Sequence, residues 1–144
     1  MSDIVRNAIQ TPDGTILESH SRWDYKSHVD TKTGKDYMVD GGHDYIRRST
    51  HADQVDLSVW STDPHKKQAD AATWGTYGPN GDQPLKRVPI SEMSTLHIEN
   101  VLKNVQSIYP VYRTIFEMEL RKRKDELEAY NHYETKSVDS SNKR

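Results

Sequence analysis

The chain contains no cysteine, which excludes disulfide staples, thiolate nucleophiles and cysteine-ligated zinc and fits a reducing compartment. It is also poor in apolar residues: 33% are hydrophobic and 29% charged, over a length of 144 that suits one domain. So thin a supply makes a modest core and leaves apolar surface for a partner subunit, so a homo-oligomer is expected. Neither sign of charge is in excess. Twenty basic residues against 22 acidic ones give a formal charge of -2, and no global field gathers a DNA or RNA polymer or an anionic membrane. No apolar run approaches the length of a bilayer span, and the start MSDIVRNAIQ lacks the charged-then-apolar order of a secretory signal. A cytoplasmic protein without a membrane partner is the expectation. Missing too are a P-loop, GxSxG, HExxH and a Rossmann fingerprint, so no cofactor, metal or catalytic residue is assigned.

What is present reads as an α+β fold, with an N-terminal antiparallel β-sheet followed by two C-terminal α-helices. Ile4, Val5 and Ile9 precede the turn Pro12-Asp13-Gly14, and Thr15-Ile16-Leu17 resumes as a strand. Trp23, Tyr25 and Val29 alternate with polar residues, and Thr33-Gly34-Lys35 returns the chain into Tyr37-Met38-Val39, which together predict a meander. Tyr45-Ile46 and Leu57-Ser58-Val59-Trp60 add short strands. Asp63-Pro64 reads as cap and first residue of a short helix ending near Trp74-Gly75, and residues 75–82 form a glycine-rich loop. Ser94 caps a helix whose apolar face is Ile98, Val101, Leu102, Val105 and Ile108. Pro110 opens a second one that reaches about Tyr133, roughly 36 Å at 1.5 Å per residue. That length exceeds what one small domain needs, so its far end is expected to meet another subunit through the helices at 95–130. The division is a single domain over 1–134 and a disordered tail over 135–144.

The densest polar cluster is Val39-Asp40-Gly41-Gly42-His43-Asp44-Tyr45-Ile46-Arg47-Arg48. Paired glycines permit positive φ and close approach, so their N–H groups can face an anion while Asp40 accepts from an amino or hydroxyl group. Arg47 and Arg48 alternate across a strand, so one can meet a phosphate while the other points away. A tight turn into an edge strand reads equally well. Trp74 and Tyr77 are candidates for stacking on a base and Arg87 for pairing with phosphate, or all three pack a loop on the core. Asn100, Asn104 and Arg113 suit either a helix–helix groove or plain exposed positions. His20, His28, His43 and His51 invite a metal site near Asp40 and Asp44, but none has a ligand spacing.

The segment VDGGHDYIRR at 39–48, with TPDGTILESH at 11–20, LSVW at 57–60, WGTYG at 74–78 and PLKRVPISEMSTLHIENVL at 84–102, resembles the phage-encoded Thoeris anti-defence proteins of the first type. The resemblance covers about residues 11–120. It implies the same sheet-then-helices order, assembly into dimers or higher oligomers, and tight noncovalent capture of cyclic ADP-ribose isomers, with cyclic trinucleotides at separate pockets in some members. It also implies that Asp40, Gly41 and Gly42 form a ligand-contacting turn, with Asn100 and Arg113 as helix contacts. The charged stretch beyond Arg121 and the insert at His51–Gln54 are particular to this chain. The leading expectation is a phage sponge that sequesters a small cyclic nucleotide in the cytoplasm of the infected bacterial host. Its rivals are a phosphodiesterase using His43 and Asp44, and a structural or protein-binding phage factor.

Overall fold

The structure is a computed structural model that describes residues 2–142, with side chains through residue 133. In chain order the elements are β1 (Ile4–Gln10), β2 (Ile16–Ser19), β3 (Lys26–Val29), β4 (Asp36–Asp40), β5 (Arg47–Arg48), β6 (Val55–Asp56) and β7 (Val59–Trp60). They continue with α1 (His65–Ala71), β8 (Thr73–Thr76), β9 (Lys86–Pro89), a 3-10 turn (Ile90–Glu92), α2 (Thr95–Asn104) and α3 (Pro110–Asn142). The class is α+β, with antiparallel sheet in the N-terminal part and helix at the C-terminus, as expected. Three α-helices are present rather than two, because α1 folds between two groups of strands.

The strands divide into separate sheets instead of one meander. β1 pairs with β2 on one side and with β6 and β7 on the other, while β3, β4 and β5 form a second sheet. As the central strand, β1 buries Ile4, Val5, Ala8 and Ile9. Ile9 joins Leu17, Tyr37 and Val39 in a small cluster, and Val5 joins the main core formed with α1, α2 and α3. That core includes Ile90, Ile98, Ile115 and Phe116, each of which contributes roughly 1.5–3 kcal/mol by leaving water. The small second sheet presents Arg47 and Asp40 on one rung, and Trp23, expected to alternate with polar residues along a strand, lies in the turn before β3 and is 83% exposed.

Asp63 does not cap α1. Pro64 occupies that position, and the Asp63 carboxylate instead accepts from the Trp60 N–H at 2.8 Å, closing the turn before the helix. The loop expected to begin at Gly75 starts later, because Trp74 and Gly75 lie in β8, paired with Val88 and Arg87 of β9. Ser94 does cap α2, its Oγ accepting from the His97 N–H at 3.1 Å. The helix stops at Asn104 rather than at Ile108: Val105 is extended, and Ile108 is buried from the connector that straightens ahead of Pro110. α3 starts at Pro110 as expected and extends past Tyr133. The tail expected over 135–144 lies outside the described side chains, and its last two residues lie outside the described backbone. Among the described residues no helix is long and apolar enough to cross a membrane.

Candidate functional site

Asp40 closes β4 on the rung it shares with Arg47, and the chain then turns through Gly41 and Gly42 with φ of 90° and 55°. Both glycines are buried. A Cβ on Gly41 would lie 1.5 Å from the Tyr45 carbonyl oxygen, and one on Gly42 would meet the Ser21 backbone at 2.6 Å. Their small size therefore serves contact of backbone with backbone. The Gly41 N–H donates to Asp40 Oδ1 at 2.9 Å and the Gly42 N–H to Ser19 Oγ at 2.8 Å. This corrects the expectation that these amides face an anion, since both donate within the fold. The turn's carbonyls are held as well: Asn7 Nδ2 donates to Asp40 O at 3.0 Å and to Gly42 O at 3.1 Å.

Arg47 and Arg48 alternate as the strand requires. Arg48 points inward, donating to Asn7 Oδ1 and, at 2.8 Å, to Asp56 Oδ1. Arg47 points outward with its side chain 66% exposed, 3.8 Å from Asp40 Oδ2, so it is the member of the pair open to a ligand. Sequence reasoning missed Asn7, the fully buried residue that ties β1 to the glycine turn and to Arg48. Its one signal is an asparagine inside the strand-like run IVRNAIQ, where a buried polar group demands partners.

The aromatic and helical candidates separate. Trp74 packs edge-on against Phe116 with ring centroids 5.4 Å apart, which places it with the core rather than against a base. Arg87 is tied along its own hairpin, Nε to Thr73 Oγ1 at 2.9 Å and Nη2 to Thr73 O at 3.1 Å. Tyr77 and Asn100 remain available. A cleft of about 600 Å³ lies between the β8–β9 hairpin and α2, lined by Thr76, Gly78 and Pro79 on one side and Leu96, His97 and Asn100 on the other. Tyr77 falls between two of these lining residues and is exposed, as is Asn100. Neither Arg87 nor Arg113 contributes to the lining, and Arg113 is half-buried on α3. Lys86 does not line the cleft either, but its rung with Thr76 sets both side chains on the same face of the hairpin.

His20, His28, His43 and His51 are each held by packing, an ion pair or a hydrogen bond. His43 stacks on Tyr109 at 4.4 Å, meets Tyr112 edge-on at 5.1 Å, and its Nε2 donates to Val5 O at 3.1 Å. Burial pushes its pKa below the ordinary histidine value. Burial likewise raises the Tyr109 and Tyr112 phenols. Asp13, His28 and Asp30 bring their ligand-type atoms within 4.8 Å of one another. Those atoms already serve the fold: Asp13 accepts from His28, Thr11, Thr15 and Thr31, and Asp30 from Asp13, Lys32 and Thr33. The hydrogen bonds from His28 and Thr11 hold the Asp13 carboxyl well below the usual carboxylate range. This is a clasp joining the Asp13 turn to the end of β3. Comparison with protein-family models, curated proteins and solved structures finds no match to this chain.

Proposed function

We propose that the protein captures a small cyclic nucleotide without cleaving it, in the manner implied by its resemblance to the Thoeris anti-defence proteins. The ligand is a cyclic ADP-ribose isomer or a cyclic di- or trinucleotide, sequestered by a phage factor in the cytoplasm of the infected bacterial host. The observation that carries this reading is the cleft beside α2. Its volume of about 600 Å³ suits a ligand of that size, and Asn100, chosen from sequence for nucleotide contact, lines it. Tyr77 offers a ring face to a base, a contact worth roughly 1–3 kcal/mol. Asn100 offers an amide donor and acceptor, and Lys86 a charge for phosphate. Arg47 beside Asp40 is a further exposed cation for an anionic group.

Titration calorimetry with cyclic ADP-ribose isomers and cyclic trinucleotides, followed by heat denaturation and chromatography of the released ligand, tests the reading. Uptake with intact ligand supports it, and a tenfold loss of affinity, about 1.4 kcal/mol, is expected for Tyr77→Ala or Asn100→Ala. Release of a hydrolysed product would favour the phosphodiesterase, and no uptake of any cyclic nucleotide would sink the proposal.

A further inference from the structure

The cleft beside α2 carries little charge for a site that takes an anion: among the described residues, no carboxylate, lysine or arginine lines it. Thr76, Ser94 and Asn100 offer neutral hydroxyl and amide groups, and Pro79 and Leu96 offer apolar surface. His97 is the one ionisable side chain of the lining. Its place follows from the start of α2. Ser94 Oγ accepts from the His97 N–H at 3.1 Å, which fixes the first turn of the helix and carries Leu96 and His97 to the cleft. His20, His28, His43, His51 and His65 each commit a ring nitrogen to an ion pair or hydrogen bond of the fold. His97, half-buried, is tied instead through its main-chain N–H.

On the reading that this cleft is the nucleotide site, on which the inference rests, we propose that His97 sets the pH dependence of capture: as imidazolium it pairs with a phosphate of the ligand, so binding takes up a proton and tightens in acid. Histidine is the side chain that changes charge between about pH 5 and 8. A bound phosphate favours the imidazolium, and by reciprocity the imidazolium favours the phosphate by the same factor. Affinity gained in this way is present at low pH and is lost as pH rises and the ring gives up its proton. The positive end of the α2 dipole attracts the same phosphate. The other charges of the bordering elements stand outside the lining. Glu99 and Lys103 lie two and six residues beyond His97, on other faces of α2. Arg123 of α3 is bonded to Thr95 Oγ1 and Ser91 O, and Arg87 of β9 to Thr73. Asp82 in the hairpin loop and Glu92 in the 3-10 turn are exposed. Lys86, on the Thr76 face of the hairpin, adds a second cation.

Calorimetry with a cyclic ADP-ribose isomer at pH 6 and pH 8, in buffers of different ionisation enthalpy, measures both the affinity and the protons taken up. The wild type should bind about tenfold more tightly at pH 6 than at pH 8 and take up protons on binding. His97→Gln should lose that gain at pH 6, whereas His97→Lys should bind at pH 8 about as tightly as the wild type does at pH 6. A titration belonging to the ligand is common to all three proteins, so the difference between them isolates His97. Ring-proton NMR of the wild type gives a readout that needs no variant: one histidine should titrate at higher pH once ligand is bound. Equal pH dependence in wild type and His97→Gln, or no histidine moved by the ligand, overturns the proposal and leaves the cleft as the nucleotide site. No uptake by the wild type at either pH overturns the nucleotide reading and this inference with it.

Discussion

Gly42 and Ser21 touch through their main chains: a Cβ at Gly42 would stand 2.6 to 2.7 Å from the N, Cα and C atoms of Ser21. Neither segment can yield easily. Gly42 is fixed by its N–H on Ser19 Oγ and its carbonyl on Asn7 Nδ2, and its φ of 55° is left-handed. Gly42→Ala therefore combines backbone strain with overlap of backbone atoms, and a loss of about 3 kcal/mol or more is expected. Urea denaturation checks this. A variant within 0.5 kcal/mol of wild type, the range usual for surface changes, would contradict the packing described.

Adjacent arginines should behave as opposites. Arg48→Ala removes the donor to the buried Asn7 Oδ1 and breaks the link to Asp56, leaving a buried acceptor unpaired at a cost of about 1–3 kcal/mol. Arg47→Ala deletes an exposed side chain whose ion pair with Asp40 spans 3.8 Å, and its stability should change by less than about 1 kcal/mol. Paired thermal melts of the two variants decide it, and equal losses would mean that the inward and outward assignment is wrong.

The positions that sequence made legible are those governed by neighbours. Ser94 as a cap, Pro110 as a helix start and the turns at Gly14 and Gly34 depend on a few adjacent residues. The division into separate sheets was not legible, because β1 takes β6 and β7 from residues 55–60 as partners. Pairing of β8 with β9 across residues 77–85 was hidden in the same way. The glycine turn shows both cases: two glycines announce positive φ, but the direction its amides face is decided by Ser19 and Asn7, which are distant in sequence. Asn100 could be chosen singly, yet only the packing of the hairpin beside α2 reveals the cleft that it lines with Thr76, Gly78 and Pro79.

Acid should loosen the attachment of α3. Glu119 is buried, which by itself raises its pKa, but hydrogen bonds from His65 and Arg123 at 2.9 Å prevail and hold the carboxyl below its ordinary 4.5. A folded pKa below the unfolded one gives stability that is present above about pH 4.5 and lost as pH falls through the lowered value. Unfolding free energy measured by urea from pH 6 to pH 3 should fall with acid, and more shallowly in Glu119→Gln, where that carboxyl no longer titrates. Identical slopes would show that Glu119 is not among the groups responsible. Asp13 adds to the fall in both proteins, because its own carboxyl is depressed by His28 and Thr11.

Lys86 and Arg87 are neighbours in β9 that face opposite sides of the hairpin. Arg87 shares its side with Gly75, the partner on its rung, and its guanidinium is bonded to Thr73. Lys86 shares its side with Thr76, which lines the cleft together with Asn100. If the cleft takes an anionic nucleotide, Lys86→Ala should weaken binding by roughly tenfold, about 1.4 kcal/mol, and flatten the salt dependence of affinity, since an exposed charge acts through a screened field. Arg87→Ala should leave affinity within a factor of about two, or about 0.4 kcal/mol, because no binding contact is removed. Calorimetry with a cyclic ADP-ribose isomer at two salt concentrations distinguishes these outcomes. A larger loss for Arg87→Ala than for Lys86→Ala would put the phosphate on the opposite side of the hairpin and remove the cleft from the account of binding.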